Sequence, residues 1–180
     1  MVDASTVPSL LARLEQTAAS MGLDVVAFNT GLPQLTRLSR PCLIKIDPEA
    51  AYAPTTLWVL LRVQSEEILI YREPEGVVSL PWQQLQQRWY GQIYLTLEAD
   101  KYRGVMLSQG MHSPRIQLLQ QMLRGLGYFS GSPSGGFDTE TLQAVKAFQR
   151  DNQLSVDGRV GPRTLIMLFH VGGHLLSQTT

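Results

Sequence analysis

Residues 1–102 contain no histidine, and the whole chain has one cysteine, Cys42. A lone thiol excludes an internal disulfide. Without an imidazole, that stretch also lacks the usual base for a cysteine nucleophile. Cys42 itself follows Pro41 and opens the apolar segment Leu43–Ile46, where a buried, inert thiol is expected. Charged residues are only 17% of the 180, with Lys+Arg and Asp+Glu equal at 15 each. That balance excludes nucleic acid as the main partner, because phosphate binding needs concentrated Lys and Arg. No stretch approaches the ~20 apolar residues of a membrane helix. The start, Met1-Val-Asp-Ala-Ser-Thr6, lacks the basic and apolar regions of a signal peptide. A Gly-x-x-x-x-Gly-Lys-Ser/Thr phosphate loop is also missing.

The charge balance hides an asymmetry. Residues 1–102 carry 8 basic and 11 acidic side chains, residues 103–180 carry 7 and 4. The second part is too weakly basic for DNA but suited to an anionic polymer. Its patterning differs as well. In the first part Ser5-Thr6-Val7-Pro8 starts a helix carrying Leu10, Leu11, Leu14, Ala18 and Met21, and Gly22 stops it. Short apolar segments follow at Leu23–Phe28, Cys42–Ile46, Leu57–Val63, Ile68–Tyr71, Val77–Leu80 and Ile93–Leu97. Turns such as Glu73-Pro74-Glu75-Gly76 lie between them, and a helix is expected over Pro81–Trp89. This order implies α+β with a mainly antiparallel sheet.

After the polar linker Glu98–Gly104 only helices are expected. Ser113-Pro114 caps a helix with Ile116, Leu119, Leu123 and Leu126 on one face, closed by Gly127. A second helix runs from Asp138 to about Arg150, with Leu142, Val145 and Phe148 inward. A third starts at Gly161-Pro162 and carries Leu165, Leu168 and Phe169. An internal echo links the last two: Ser134-Gly-Gly-Phe-Asp-Thr-Glu-Thr141 aligns without gaps on Asp157-Gly-Arg-Val-Gly-Pro-Arg-Thr164.

The string Leu118-Leu119-Gln120, Leu123, Leu126-Gly127-Tyr128, Gly136-Phe137, Thr141, Ala144-Val145, Phe148-Gln149, Leu154, Asp157-Gly158, Gly161 and Thr164 closely resembles the peptidoglycan-binding domain of wall amidases, carboxypeptidases and spore-cortex enzymes. It departs at Ser134 and Asp138, where that family commonly has Asp and Gly. The resemblance implies a three-helix domain whose ligand is a muropeptide. Tyr128, Phe129, Gln149, Asp157, Arg159 and Arg163 are the candidate binding residues, with Arg163 placed to meet a peptide-stem carboxylate at a helix start.

Residues 57–91 resemble the second half of papain-like peptidases that trim double-glycine leader peptides. The motifs are Leu57-Trp-Val-Leu-Leu61, Ile68-Leu-Ile-Tyr71, Glu73-Pro74, Gly76, Val78-Ser-Leu80 and Trp89-Tyr-Gly91. Leu57 or Thr56 stands where that family has its His, and Glu73 where it has Asp, so the peptidase likeness is degenerate. A degenerate papain-like domain (1–102) followed by an all-α three-helix peptidoglycan-binding domain (103–180) is similar to the periplasmic region of the general secretion pathway protein A family. The resemblance implies an upstream ATPase and membrane helix, so this chain is expected to be a piece of a longer inner-membrane protein. It further implies a periplasmic location in a Gram-negative cell, a membrane link only through a segment outside this chain, and a secretin or inner-membrane protein as partner. The expected role is non-catalytic tethering to peptidoglycan in secretin assembly. The alternative is the wall-targeting region of a peptidoglycan hydrolase.

No cofactor or metal is expected. His170 and His174 are four apart, but Gly172-Gly173 breaks the helix that would aim both at one ion. Glu66-Glu67 and Glu73 with Glu75 read as solvated turn charges rather than a glycosidase pair. Trp58 reads as core, and Trp82 with Trp89 as a pair packed together on the sheet.

Overall fold

A computed structural model describes residues 10–47, 56–64, 67–98 and 104–172. The proposed helix start at Ser5–Pro8 and most of the linker lie outside them. Among the described residues one sheet contains β1 (Leu23–Asn29), β2 (Cys42–Ile46), β3 (Thr56–Val63), β4 (Glu67–Arg72), β5 (Gly76–Pro81) and β6 (Gln92–Glu98). The order is β1-β6-β2-β3-β4-β5, with every pair antiparallel. Side chains alternate between the faces of a strand. Cys42, Ile44 and Ile46 are therefore buried while Leu43 and Lys45 are only partly covered. The same face continues across the register Ile44↔Trp58 and Leu60↔Ile70. Trp58 joins this core as expected. The α+β class read from the sequence is the observed one.

Helix α1 (Leu10–Ser20) precedes β1, and Gly22 reverses the chain in the left-handed region. Two local features differ from the expectation. A four-residue helix, α2 (Leu32–Leu35), follows β1; it is too short to leave a periodic signal. The helix expected over 81–89 is only α3 (Trp82–Gln86). Trp89 lies past its end, where its ring meets Trp82 edge-to-face at 5.7 Å and its indole N–H donates to Gln92 O at 3.0 Å. The strand β6 thus captures Trp89 and stops the helix early.

Three longer helices follow: α4 (Pro114–Gly125), α5 (Thr139–Asp151) and α6 (Pro162–Gly172). Ser113 Oγ accepts from Ile116 N, and Asp138 Oδ1 accepts from both Thr141 N and Thr141 Oγ1, which caps the first two helices. Ile116, Leu119, Leu123, Val145 and Phe148 form the inner face, with Phe148 fully enclosed. In α6 every residue from Thr164 to Gly172 is buried. A helix wrapped on all sides must have packed neighbours all round. Here the neighbours are the other helices and, on the far side, β6 of the sheet.

Polar contacts fasten this seam. Ser39 N and Ser39 Oγ both donate to His170 O, at 2.7 and 2.8 Å. His170 Nε2 lies 3.2 Å from Thr96 O; a carbonyl only accepts, so Nε2 carries the proton. Arg37 donates to Tyr128 Oη at 2.6 Å, and that hydroxyl donates to Asp151 Oδ2 at 3.0 Å.

Candidate functional site

The repeat seen in the sequence is built on two buried glutamines. Gln120 Oε1 accepts from Gly135 N at 2.9 Å, and its Nε2 donates to Gly136 O and Thr141 Oγ1, both at 2.8 Å. Gln149 repeats the pattern: Oε1 accepts from Gly158 N at 2.9 Å, and Nε2 donates to Arg159 O at 2.8 Å and Thr164 Oγ1 at 3.3 Å. Each amide thus ties the loop before a helix to the threonine in that helix's first turn. Gly135 and Gly158 occupy equivalent left-handed positions, and a Cβ on Gly158 would run into Leu142. Phe137 and Val160, two residues further on, plug the core. Both plugs pair with the segment before α4, Phe137 through Met111 and Gly110 and Val160 through Leu107.

The second loop differs from the first in carrying Asp157 and Arg159 where the first has Ser134 and Gly136. A cleft of about 220 Å³ opens beside it, lined by Met106, Gln149, Leu154, Asp157, Arg159 and Arg163 among others. Four of the six candidate residues therefore come together. Gln149 is present as a buried strut rather than a free contact. Asp157 Oδ1 accepts from Arg159 N and Gln149 Nε2, both at 2.9 Å. The backbone bond from Arg159 above all, then the Gln149 amide, hold its carboxyl below the ordinary 3.8. A carboxylate so committed is a poor general acid. Arg159 and Arg163 are exposed at its rim. The guanidinium of Arg163 lies over the ring of Phe28, 4.5 Å from its centroid.

The other two candidates sit elsewhere. Tyr128 is engaged by Arg37 and Asp151, and Phe129 is buried at 4% exposure. Both follow the left-handed Gly127, and the N–H groups of both turn back to Leu123 O, which aims Phe129 inward. Gln120 was not among the candidates. It stands 15 residues before Gly135 whereas Gln149 stands 9 before Gly158, so a gap-free repeat beginning at Ser134 does not reveal it.

A second depression, of about 470 Å³, is lined by Thr56, Leu57, Trp58, Tyr71, Arg72 and Glu73 among others. It gathers the positions at which the peptidase resemblance would put His and Asp. Trp58 there carries two guanidinium groups, Arg72 at 5.1 Å and Arg88 at 5.5 Å. Cys42 is buried on β2, and burial pushes its thiol up to about 12. Of the acidic residues, Glu67 accepts from Ser79 Oγ at 2.7 Å and Glu75 meets Arg72 at 3.5 Å, while Glu66 lies outside the described residues. His170 is committed to the seam, and His174 is outside the described residues.

Comparison with known proteins gives the class of the helical part first. Residues 112–168 match the family described as "Putative peptidoglycan binding domain". Two curated enzymes are also similar to part of the chain. The N-acetylmuramoyl-L-alanine amidase CwlL of Bacillus licheniformis is 33% identical over 79 residues, 43% of this chain and 22% of that protein. The amidase CwlM of Mycobacterium tuberculosis is 31% identical over 65 residues, 36% of this chain and 16% of that one. The chain thus spans less than a quarter of either amidase. For the chain as a whole, the relevant structure is a periplasmic domain of the EpsAB fusion protein of the Vibrio vulnificus type II secretion system. It superposes with a TM-score of 0.54 over 88% of this chain and 70% of that one, at 23% identity. The chain has that fold, in keeping with the resemblance to the general secretion pathway protein A periplasmic region.

Proposed function

We propose that this chain binds peptidoglycan through the cleft beside the second loop and does so without catalysis. The observation that carries this is the family match over residues 112–168, laid on a module whose charged loop borders a cleft. Two guanidinium groups, the Ser155 hydroxyl and an apolar floor suit the carboxylates, amides and sugar hydroxyls of a muropeptide. The likeness in fold to a periplasmic type II secretion domain supports a periplasmic setting. In this reading residues 103–180 hold the wall, while residues 1–102, a pseudo-peptidase, contact a secretin or inner-membrane partner. The chain then tethers an inner-membrane assembly factor to the wall while the secretin is built. The amidase relatives favour a second reading, the wall-targeting part of a hydrolase.

The chain should pellet with purified sacculi. Arg159→Ala and Arg163→Ala should each reduce pelleting several-fold with melting temperature little changed, since both side chains are exposed. Normal pelleting by both variants would remove the cleft from consideration. Release of product from leader peptide or muropeptide, abolished by Cys42→Ala, would overturn the non-catalytic assignment. A hydrolase domain in the same full-length protein would select the second reading.

A further inference from the structure

We infer that Phe28, a residue of the sheet, positions Arg163 for the ligand, so that the cleft of the helical module is completed by the other half of the molecule. This rests on the cleft being the peptidoglycan site. Phe28 lies on β1 opposite Ile93 of β6, and only 2% of its surface is exposed. It is fixed by the sheet around it. Arg163 stands in the first turn of α6, the helix that runs along β6, and its guanidinium sits 4.5 Å from the centroid of that ring. The same side chain lines the cleft with Arg159 and Asp157.

The geometry of a guanidinium makes this arrangement productive. The group is planar and its five N–H donors all lie in the plane, so stacking one face on a ring uses no donor. A long, exposed arginine otherwise loses rotamer freedom when it grips a carboxylate. Held over Phe28, it loses that freedom on folding instead, and its donors are placed beside the cleft in advance of the ligand. The equivalent helix start in the first repeat has Glu140 in place of Arg163. The cation therefore falls in the repeat whose helix start meets the Phe28 ring of the sheet.

The test uses the full chain and a soluble muropeptide monomer, with affinity measured by calorimetric titration for wild type, Phe28→Leu, Arg163→Ala and the double variant. Leucine keeps the apolar volume and removes the ring face. Arg163→Ala should weaken binding by about tenfold or more, the effect of losing a charge-assisted bond. Phe28→Leu should weaken it about threefold to tenfold, in line with loss of a cation–π contact. In the Arg163→Ala background Phe28→Leu should change nothing further. Additive losses would mean that Phe28 acts through general stability, and the inference falls. Unchanged affinity in Arg163→Ala would remove Arg163 from the site and the inference with it, and unchanged affinity in Arg159→Ala as well would overturn the cleft assignment itself. Wild type alone supplies a check that does not depend on a buried variant folding. The side-chain N–H resonance of Arg163 should be displaced upfield by the ring and should move on muropeptide addition. A resonance at its ordinary position, or one indifferent to the ligand, would also overturn the inference.

Discussion

His170 shows how a single side chain can set the conditions under which the two halves stay joined. Its Nε2 proton is bound to Thr96 O, while its Nδ1 is buried without a partner. Burial, with repulsion from Arg40, holds the imidazole below its ordinary 6.5, although the bond to Thr96 works the other way. The unfolded chain therefore takes up a proton near 6.5 while the folded one does not, and stability falls as pH descends from there through the folded value. Wild type should lose melting temperature as pH falls below 6.5, and His170→Gln, which keeps a donor for Thr96, should lose less. Parallel pH profiles for the two would assign the loss to another group. Asp138 and Asp157 are also depressed, but their window lies below 3.8 and does not overlap. At this scale the sequence was a partial guide. Residue type pointed correctly to a buried Cys42 and a core Phe148. It could not distinguish an aromatic that follows Gly127 outward from one turned inward, nor a glutamine that binds ligand from one that binds its own loop.

Elements were the most legible level, because periodicity and caps act locally. The strands at 42–46 and 57–63 and the three helix starts at Ser113-Pro114, Asp138 and Gly161-Pro162 fall where patterning puts them. The unbroken apolar run Leu165–Phe169 fits a helix enclosed on every side, of which Leu165, Leu168 and Phe169 are only a part. The paired glutamines give an element-level prediction. Gln120→Ala and Gln149→Ala each strand a buried glycine N–H, and Gln149→Ala also strands the Thr164 hydroxyl, at a cost of about 1–3 kcal/mol per unsatisfied group. The glutamate variants should then separate the two loops. Gln149→Glu would face the Asp157 carboxylate directly, now 2.9 Å from the amide, whereas the first loop has Ser134 at that position and reaches Asp138 only through the Thr141 hydroxyl. Urea midpoints should fall further for Gln149→Glu than for Gln120→Glu; equal shifts would mean the two clamps are not loaded differently. Phe148→Ala, by contrast, should cost about 3–5 kcal/mol through the cavity it leaves and unfold the helical part, visible as lost melting cooperativity.

At the scale of the whole molecule, strand order and the seam were beyond the reach of patterning. Pairing β1 with β6 joins residues about 70 positions apart, and nothing periodic in either strand encodes the choice of partner. The seam depends on hydrogen bonds from Arg37 and Ser39, two polar residues in a stretch with no motif. Because the buried apolar cluster runs through sheet and helices together, heating should produce one calorimetric transition. Tyr128→Phe removes the hydroxyl that links Arg37 to Asp151 and should lower that transition by a few degrees, as expected for a net bond worth about 1 kcal/mol. Two resolved transitions in wild type would show that the seam does not couple the halves. A seam of this kind also governs what a wall-bound protein can do mechanically. A module hung on a flexible leash leaves its cargo free to swivel. A module clamped along β6 acts as a bracket, so anything seated on the sheet would take its angle and its standoff from the glycan mesh itself.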